Sequence, residues 1–239
     1  IAECAANHHL LLDFHGMKPT GVQLAYPTIL NFEAVKGLEN SKWEPRNNNG
    51  PIHDQPQYDC EIPYLRMLPG AMDYTPGAMT NATKSQFFGN NDHPMSQGTR
   101  THQVAMYTVF YAPLQMLADS PTKYMQNQEC TDFIAKVPTT WDETIALDGK
   151  IGEYVAIARR KGTKWFIGVL NNWQEKDITL DLNKLNNHGN NITIIQDGIN
   201  ADKEATDYKK LSGNWSSLVS NNKITIHLSQ AGGWSARIE

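Results

Sequence analysis

The chain has 239 residues, of which 40% are hydrophobic, 19% charged and 9% aromatic, and its formal net charge at pH 7 is −4. That apolar fraction is ordinary for a globular protein and excludes a chain dominated by disorder. No run approaches the ~18 uninterrupted apolar residues of a membrane-spanning helix, and mild acidity without a basic cluster argues against a nucleic-acid partner.

The chain opens Ile1-Ala2-Glu3-Cys4-Ala5-Ala6. This reads as the interior of a helix over residues 2–9, with no basic leader or cleavage-site spacing, and suggests a piece of a longer protein. Leu10-Leu11-Leu12-Asp13-Phe14-His15 is an apolar run that ends in polar residues and Gly16, the pattern of a buried parallel strand. A Pro- and Gly-punctuated loop follows, then a short element over 31–40. Asn47-Asn48-Asn49-Gly50-Pro51 reads as an exposed turn. Helices are expected over 57–67 and over 98–118, the second kinked at Pro113. Beyond residue 140 the pattern changes to short alternating segments: 153–159, 165–170, 176–182, 191–196, 223–229 and 234–238. Their spacing predicts an antiparallel sandwich. Cys4, Cys60 and Cys130 lack the paired spacing of a zinc site and are too few for a disulfide scaffold.

Six of the eight His precede residue 140, so chemistry is sought there. The groups to weigh are Asp13, His15, Glu33, Glu39, Asp73, Tyr74, Arg100 and His102. Each has a plain structural reading: a solvated charge, a strand-end hydrogen bonder, a turn residue. Two spacings count for more. Asp13 and His15 fall on one face of the expected strand. Glu33 and Glu39, six apart around Gly37, could bind a hard cation or divide the roles of acid and ligand. Trp165, Trp173, Trp215 and Trp234 could stack on sugars or fill the sandwich core, and the core is the simpler reading.

Asp13-Phe14-His15-Gly16, Lys18-Pro19-Thr20-Gly21, Gly37-Leu38-Glu39, Met72-Asp73-Tyr74-Thr75-Pro76-Gly77, His102-Gln103, Pro113 to Pro121 and Val137 to Thr144 occur here in order. Together they closely resemble glycoside hydrolase family 97, bacterial α-glucosidases and α-galactosidases. The resemblance implies an α/β fold: residues 1–140 as the C-terminal part of a (β/α)8 barrel, and residues 141–239 as an all-β sandwich domain. It implies a fragment of a retaining, exo-acting α-glycosidase, periplasmic or secreted, acting on an oligosaccharide or other α-glycoside. Glu39 matches the general acid, Glu33 a calcium ligand with Glu39 beside it, and His15 a histidine that contacts the sugar. Asp73 and His102 lie in motifs of the family and are expected at the substrate. Inverting members carry Glu directly after the strand-end His. Gly16 stands there in this chain, which favours retention, with the nucleophile expected upstream. Calcium is expected in the longer protein and weakly or not at all in this stretch. The stretch is expected to self-associate through uncovered edges. The alternative is a carbohydrate-binding or scaffold module without catalysis of its own.

Overall fold

The structure, a computed structural model, describes residues 1–47, 50–186 and 188–239. Asn48 and Asn49, in the expected turn, lie outside the described residues. In chain order the elements are α1 (Ala2–Asn7), β1 (Leu12–Phe14), α2 (Val22–Ala25), β2 (Ile29–Phe32), a 3₁₀ helix (Leu38–Trp43), β3 (Arg46–Asn47) and β4 (Gly50–Pro51). Then come α3 (Gln55–Glu61), a 3₁₀ turn (Ile62–Tyr64), β5 (Asn81–Ala82), β6 (Ser96–Gln97), α4 (Arg100–Val109), α5 (Pro121–Gln126) and α6 (Gln128–Ile134). The rest is β7 (Glu143–Lys150), β8 (Tyr154–Lys161), β9 (Lys164–Asn171), β10 (Lys176–Asp181), β11 (Asn191–Asp197), β12 (Tyr208–Asn214), α7 (Trp215–Leu218), β13 (Lys223–Leu228) and β14 (Gly233–Ile238).

Six of these strands form an antiparallel sheet in the order β12-β11-β14-β9-β8-β7, and β10 and β13 pair as a second, two-stranded sheet. Alternation along each strand sends side chains to opposite faces. Ala156, Ala158, Trp165, Ile167, Val169, Trp234, Ala236 and Ile238 meet Ile178, Leu180, Ile226 and Leu228 of the small sheet in one core. From the other face Val155, Ile157 and Leu170 pack against Ala105, Met106 and Val109 of α4. A sheet covered on both faces explains why β9 is buried along nearly its whole length.

Helix α4 seats closely because two sheet positions are glycine. A Cβ at Gly168 would meet the Ala105 carbonyl at 2.8 Å, and one at Gly233 would meet the His102 backbone at 2.6 Å. The helix is shorter than expected. It ends at Val109, and Arg159 on β8 takes the last carbonyls, donating from Nε to Thr108 O (2.7 Å) and from Nη2 to Val109 O (2.9 Å). The extended chain ahead of Pro113 then pairs elsewhere, with Met72 N donating to Tyr111 O at 3.0 Å.

The expected α/β architecture is corrected here. The described residues form no (β/α)8 barrel, partial or closed, and the strand content is dominated by the antiparallel sheet. Among the described residues, 1–140 hold only two parallel pairs, β1–β2 and β5–β6, with strands of two to four residues, plus the short hairpin β3–β4. Barrel closure takes about eight tilted strands. The apolar run that suggested a buried barrel strand is mostly not buried: Leu10 is 56% and Leu11 62% exposed, and β1 spans only three residues. Hydrophobicity marked a strand without fixing how many neighbours it has. The sandwich expected for the last hundred residues is present.

Candidate functional site

Three extended segments end side by side. Strands β1 and β2 run parallel, pairing Asp13 with Asn31 and Phe14 with Phe32. The ladder continues as Glu33 N donates to Phe14 O (2.8 Å) and Asp73 N to Phe32 O (3.1 Å). Asp13 and His15, Asn31 and Glu33, and Asp73 and Thr75 therefore gather at one edge. Arg66 fixes this edge from behind. Its guanidinium donates to Ala34 O (3.0 Å), Phe32 O (2.8 Å), Ala71 O (3.1 Å) and Gly70 O (3.3 Å). It is buried, with no carboxylate partner among the described residues, and burial lowers its pKa.

His15 Nδ1 lies 2.6 Å from Glu33 Oε2, but His15 is 82% exposed, so solvent weakens the pair. Asp13 is the more perturbed group. Burial first, then a hydrogen bond and the charge of Asp73, raise it to about 6, against a lowering hydrogen bond from Asn31 and the charge of His15. Its Oδ1 is buried without a partner, while Thr75 Oγ1 donates to Asp73 Oδ1 at 3.0 Å. Two carboxyls so placed favour holding a proton between them.

The segment after Asp73 is held rigidly. Gln103 Oε1 on α4 accepts from Gly77 N (3.0 Å) and Ala78 N (3.2 Å), Tyr107 donates to Pro76 O (2.8 Å) and Tyr124 to Gly77 O (2.9 Å). Gly77 has φ +100, and a Cβ there would run into the Tyr107 hydroxyl. The turn that bears Glu39 hangs on the same segment, through Leu38 N to Tyr74 O at 3.0 Å.

Glu39 is exposed, has no hydrogen-bond or ion-pair partner among the described residues, and lines a cleft of about 140 Å³ with Lys42, Thr75, Met95 and Asp119. A second cleft of about 440 Å³ shares Pro94, Met95, Ala118 and Asp119 with it and continues to His93 and Lys123. A carboxyl on a groove wall next to a row of hydrogen-bonding strand ends can transfer a proton to a polar, hydroxylated ligand.

The structure thus brings His15 to Glu33, Asp13 to Asp73, and Glu39 to the cleft by Thr75. It does not bring His102 there. That side chain is fully buried under the sheet, with Nδ1 2.9 Å from Gly232 O and Nε2 3.2 Å from Asp59 Oδ2. Arg100 is also buried and structural, donating to Asn81 Oδ1 (2.6 Å) and Met79 O (2.6 Å). Among the described residues no three His, Cys, Asp or Glu are gathered to hold a metal ion. Glu33 and Glu39 cannot by themselves fill the 6–8 oxygen positions calcium takes, so this residue set does not fit calcium unaided. Arg66, Thr75 and Asp59 were missed by sequence reasoning. Only the tertiary structure shows that Arg66 faces four carbonyls rather than solvent. The three cysteines are free, with Cys60 and Cys130 buried, and no helix among the described residues is long and apolar enough to cross a membrane.

Residues 140–239 match the family model described as glycosyl-hydrolase 97 C-terminal, oligomerisation. The chain is 44% identical over all 239 residues to a retaining alpha-galactosidase of Bacteroides thetaiotaomicron, covering 35% of that protein. It is 31% identical over 169 residues, 70% of the chain and 23% of the relative, to a probable retaining alpha-galactosidase of Streptomyces bingchenggensis. Among solved structures, a glycoside hydrolase family 97 enzyme from a Pseudoalteromonas species in complex with acarbose superposes over 100% of this chain and 36% of that one, with TM-score 0.84 and 29% identity. A beta-arabinopyranosidase superposes over 99% of this chain and 35% of that one, with TM-score 0.80 and 26% identity. The chain therefore spans about a third of the length of the first of these curated relatives. Along its whole length it resembles glycoside hydrolase family 97, whose C-terminal module residues 140–239 match.

Proposed function

We propose that this chain is part of a retaining α-glycosidase, with α-galactosides as the substrate class. The observation that carries the reading is Glu39: an unpaired carboxyl on a cleft wall, at the position that the family resemblance gives to the general acid. In this reading Glu39 protonates the departing glycosidic oxygen and then, as its conjugate base, activates the water that releases the sugar. Gly16 leaves no carboxylate after His15 to act as an inverting base. The nucleophile that retention requires is expected outside these residues. His15 and Asp73 would hydrogen-bond sugar hydroxyls, and Glu33 and Glu39 would contribute oxygen ligands to a calcium ion completed from elsewhere in the protein. Galactose rather than glucose is favoured by the names of the two curated relatives.

The last hundred residues support a second role. Trp165 and Trp234 are 0% and 1% exposed, so these two rings do not form a sugar-stacking row, which favours scaffold over carbohydrate binding. The outer strands β7 and β12 offer largely exposed edges, and the matched model is described as an oligomerisation module. Self-association through this module is part of the proposal.

The test is proton NMR of the first-formed sugar when the full-length protein cleaves an α-galactoside. The α-anomer is expected. A first-formed β-anomer, or no cleavage of any α-glycoside, overturns the reading.

A further inference from the structure

Behind the Glu39 turn lies a buried polar chain that the proposed chemistry does not use. Helix α3 supplies Gln55, Tyr58 and Asp59. Tyr58 Oη accepts from Lys36 N at 2.9 Å, one residue before Gly37. The next residue, Asp59, is fully buried; its Oδ1 accepts from Tyr74 Oη (2.6 Å) and Gln55 Nε2 (3.0 Å), and its Oδ2 faces His102 Nε2 at 3.2 Å. His102 Nδ1 reaches Gly232 O at 2.9 Å, in the loop leading into β14. The Tyr74 backbone carbonyl in turn holds Leu38 N. The packing is tight: the Tyr74 ring sits edge-on against Phe110 at 4.7 Å, and a Cβ at Gly37 would lie 3.0 Å from Tyr74 O.

The donors and acceptors fix the protons. The Gly232 carbonyl can only accept, so Nδ1 of His102 carries a hydrogen. The contact between Nε2 and Asp59 is a hydrogen bond only if a further proton lies between them. The pair is therefore either imidazolium with carboxylate or neutral imidazole with carboxylic acid. In both forms the two ring nitrogens and both carboxyl oxygens are used within the protein, leaving no open face for a ligand.

We propose that Tyr58, Asp59, Tyr74 and His102 are positioning residues for Glu39: Asp59, Tyr74 and His102 form a buried hydrogen-bonded chain, joined through helix α3 to the half-buried Tyr58, that ties the turn bearing the acid to the start of β14 in the sandwich. This rests on the reading of Glu39 as general acid. It gives residues 140–239 a part in the chemistry besides self-association, because the Gly232 carbonyl ends the chain. A proton donor misplaced by about 1 Å can lose on the order of 100-fold in rate.

The experiment uses the full-length protein with Tyr74→Phe, Asp59→Ala and Asp59→Asn, read by kinetics on a nitrophenyl α-galactoside and by hydrogen exchange of residues 36–43. Tyr74→Phe keeps the ring on Phe110 and removes only the link. For it and Asp59→Ala, kcat falls about 10- to 100-fold while KM changes less than about twofold, and exchange of 36–43 quickens while α4 stays protected. Asp59→Asn rescues, since its amide oxygen accepts from Tyr74 and Gln55 and its NH₂ donates to Nε2; kcat returns to within about threefold of wild type. Unchanged exchange and unchanged kcat in Tyr74→Phe overturn the proposal, even where Asp59→Ala does not fold. So does a loss of protection spread evenly over α4 and the sheet, or an Asn variant as impaired as the Ala one. If the wild-type protein cleaves no glycoside, the glycosidase reading falls, and the exchange of 36–43 alone decides the link.

Discussion

Asp13 and Asp73 bring two carboxyls together at the ends of neighbouring extended segments, and burial with the charge of Asp73 raises Asp13 to about 6. A carboxyl whose pKa is higher folded than unfolded binds its proton more tightly in the native state. Its contribution to stability is complete below the unfolded value of 3.8 and is lost as pH rises to about 6. Asp13→Asn mimics the protonated acid, with an NH₂ able to donate to Asp73. The variant should match the wild type near pH 4 and exceed it above pH 6. Because solvent reaches this pair, the gain should be only about 1 kcal/mol. Urea unfolding at the two pH values measures it, and an equal gap at both would refute the shared proton.

Glu39→Gln in the full-length protein removes a positioned acid, an effect worth about 10²- to 10⁴-fold in general acid catalysis. The loss should be greatest for a poor leaving group such as a natural oligosaccharide. It should be much smaller for a dinitrophenyl galactoside, whose phenolate leaves without help. Values of kcat/KM on the two substrates check this, because they report the glycosylation step and leave out the later step in which Glu39 acts as base. An equal loss on both would place Glu39 in binding rather than in proton transfer.

Strands β8 to β11, β13 and β14 were legible because burial on one or both faces imposes alternation or an apolar run. Strands β7 and β12 were not expected. They are edge strands, and Tyr208-Lys209-Lys210-Leu211-Ser212-Gly213-Asn214 is as polar as a loop because one flank faces water. The helix over 98–118 was read too long, since its end depends on Arg159, some fifty residues away. Local motifs were enough to single out Glu33, Glu39, His15 and Asp73 as candidates, and the structure sets His15 beside Glu33 and Glu39 on a cleft wall. The surroundings of His102 could not be read that way. Nothing in Arg100-Thr101-His102-Gln103 says that one ring nitrogen faces Asp59 and the other a carbonyl of the sandwich.

Calcium should discriminate between this stretch and the longer protein. Glu33 is engaged by the imidazole of His15, and among the described residues no three His, Cys, Asp or Glu are gathered to hold a metal ion. Calorimetric titration of the 239-residue chain should therefore show at most binding of about millimolar strength, against micromolar or tighter for a complete 6–8-oxygen site. In the full-length protein, Glu33→Gln should weaken binding. Tight binding by the short chain that survives Glu33→Gln would move the metal away from this carboxylate.

Arg66 is expected to govern the stability of the strand ends rather than their chemistry. One guanidinium serves the carbonyls of Phe32, Ala34, Gly70 and Ala71. These belong to the two segments that carry Glu33 and Asp73, so the side chain sets their spacing. Burial lowers its pKa by stripping water from the guanidinium; four backbone carbonyl dipoles offset part of that loss. Arg66→Met fills the volume but takes the donor from the Ala34, Gly70 and Ala71 carbonyls, each buried unpaired acceptor costing about 1–3 kcal/mol, while Phe32 O keeps its bond from Asp73 N. Some of them can recover water at this partly open edge, so a total of about 2–4 kcal/mol is expected. Arg66→Lys should recover less than half of this, because a single ammonium cannot reach four acceptors in the plane of a fork. Urea unfolding of the three proteins measures both losses. Full rescue by lysine would mean that charge, and not the fork, holds the edge together.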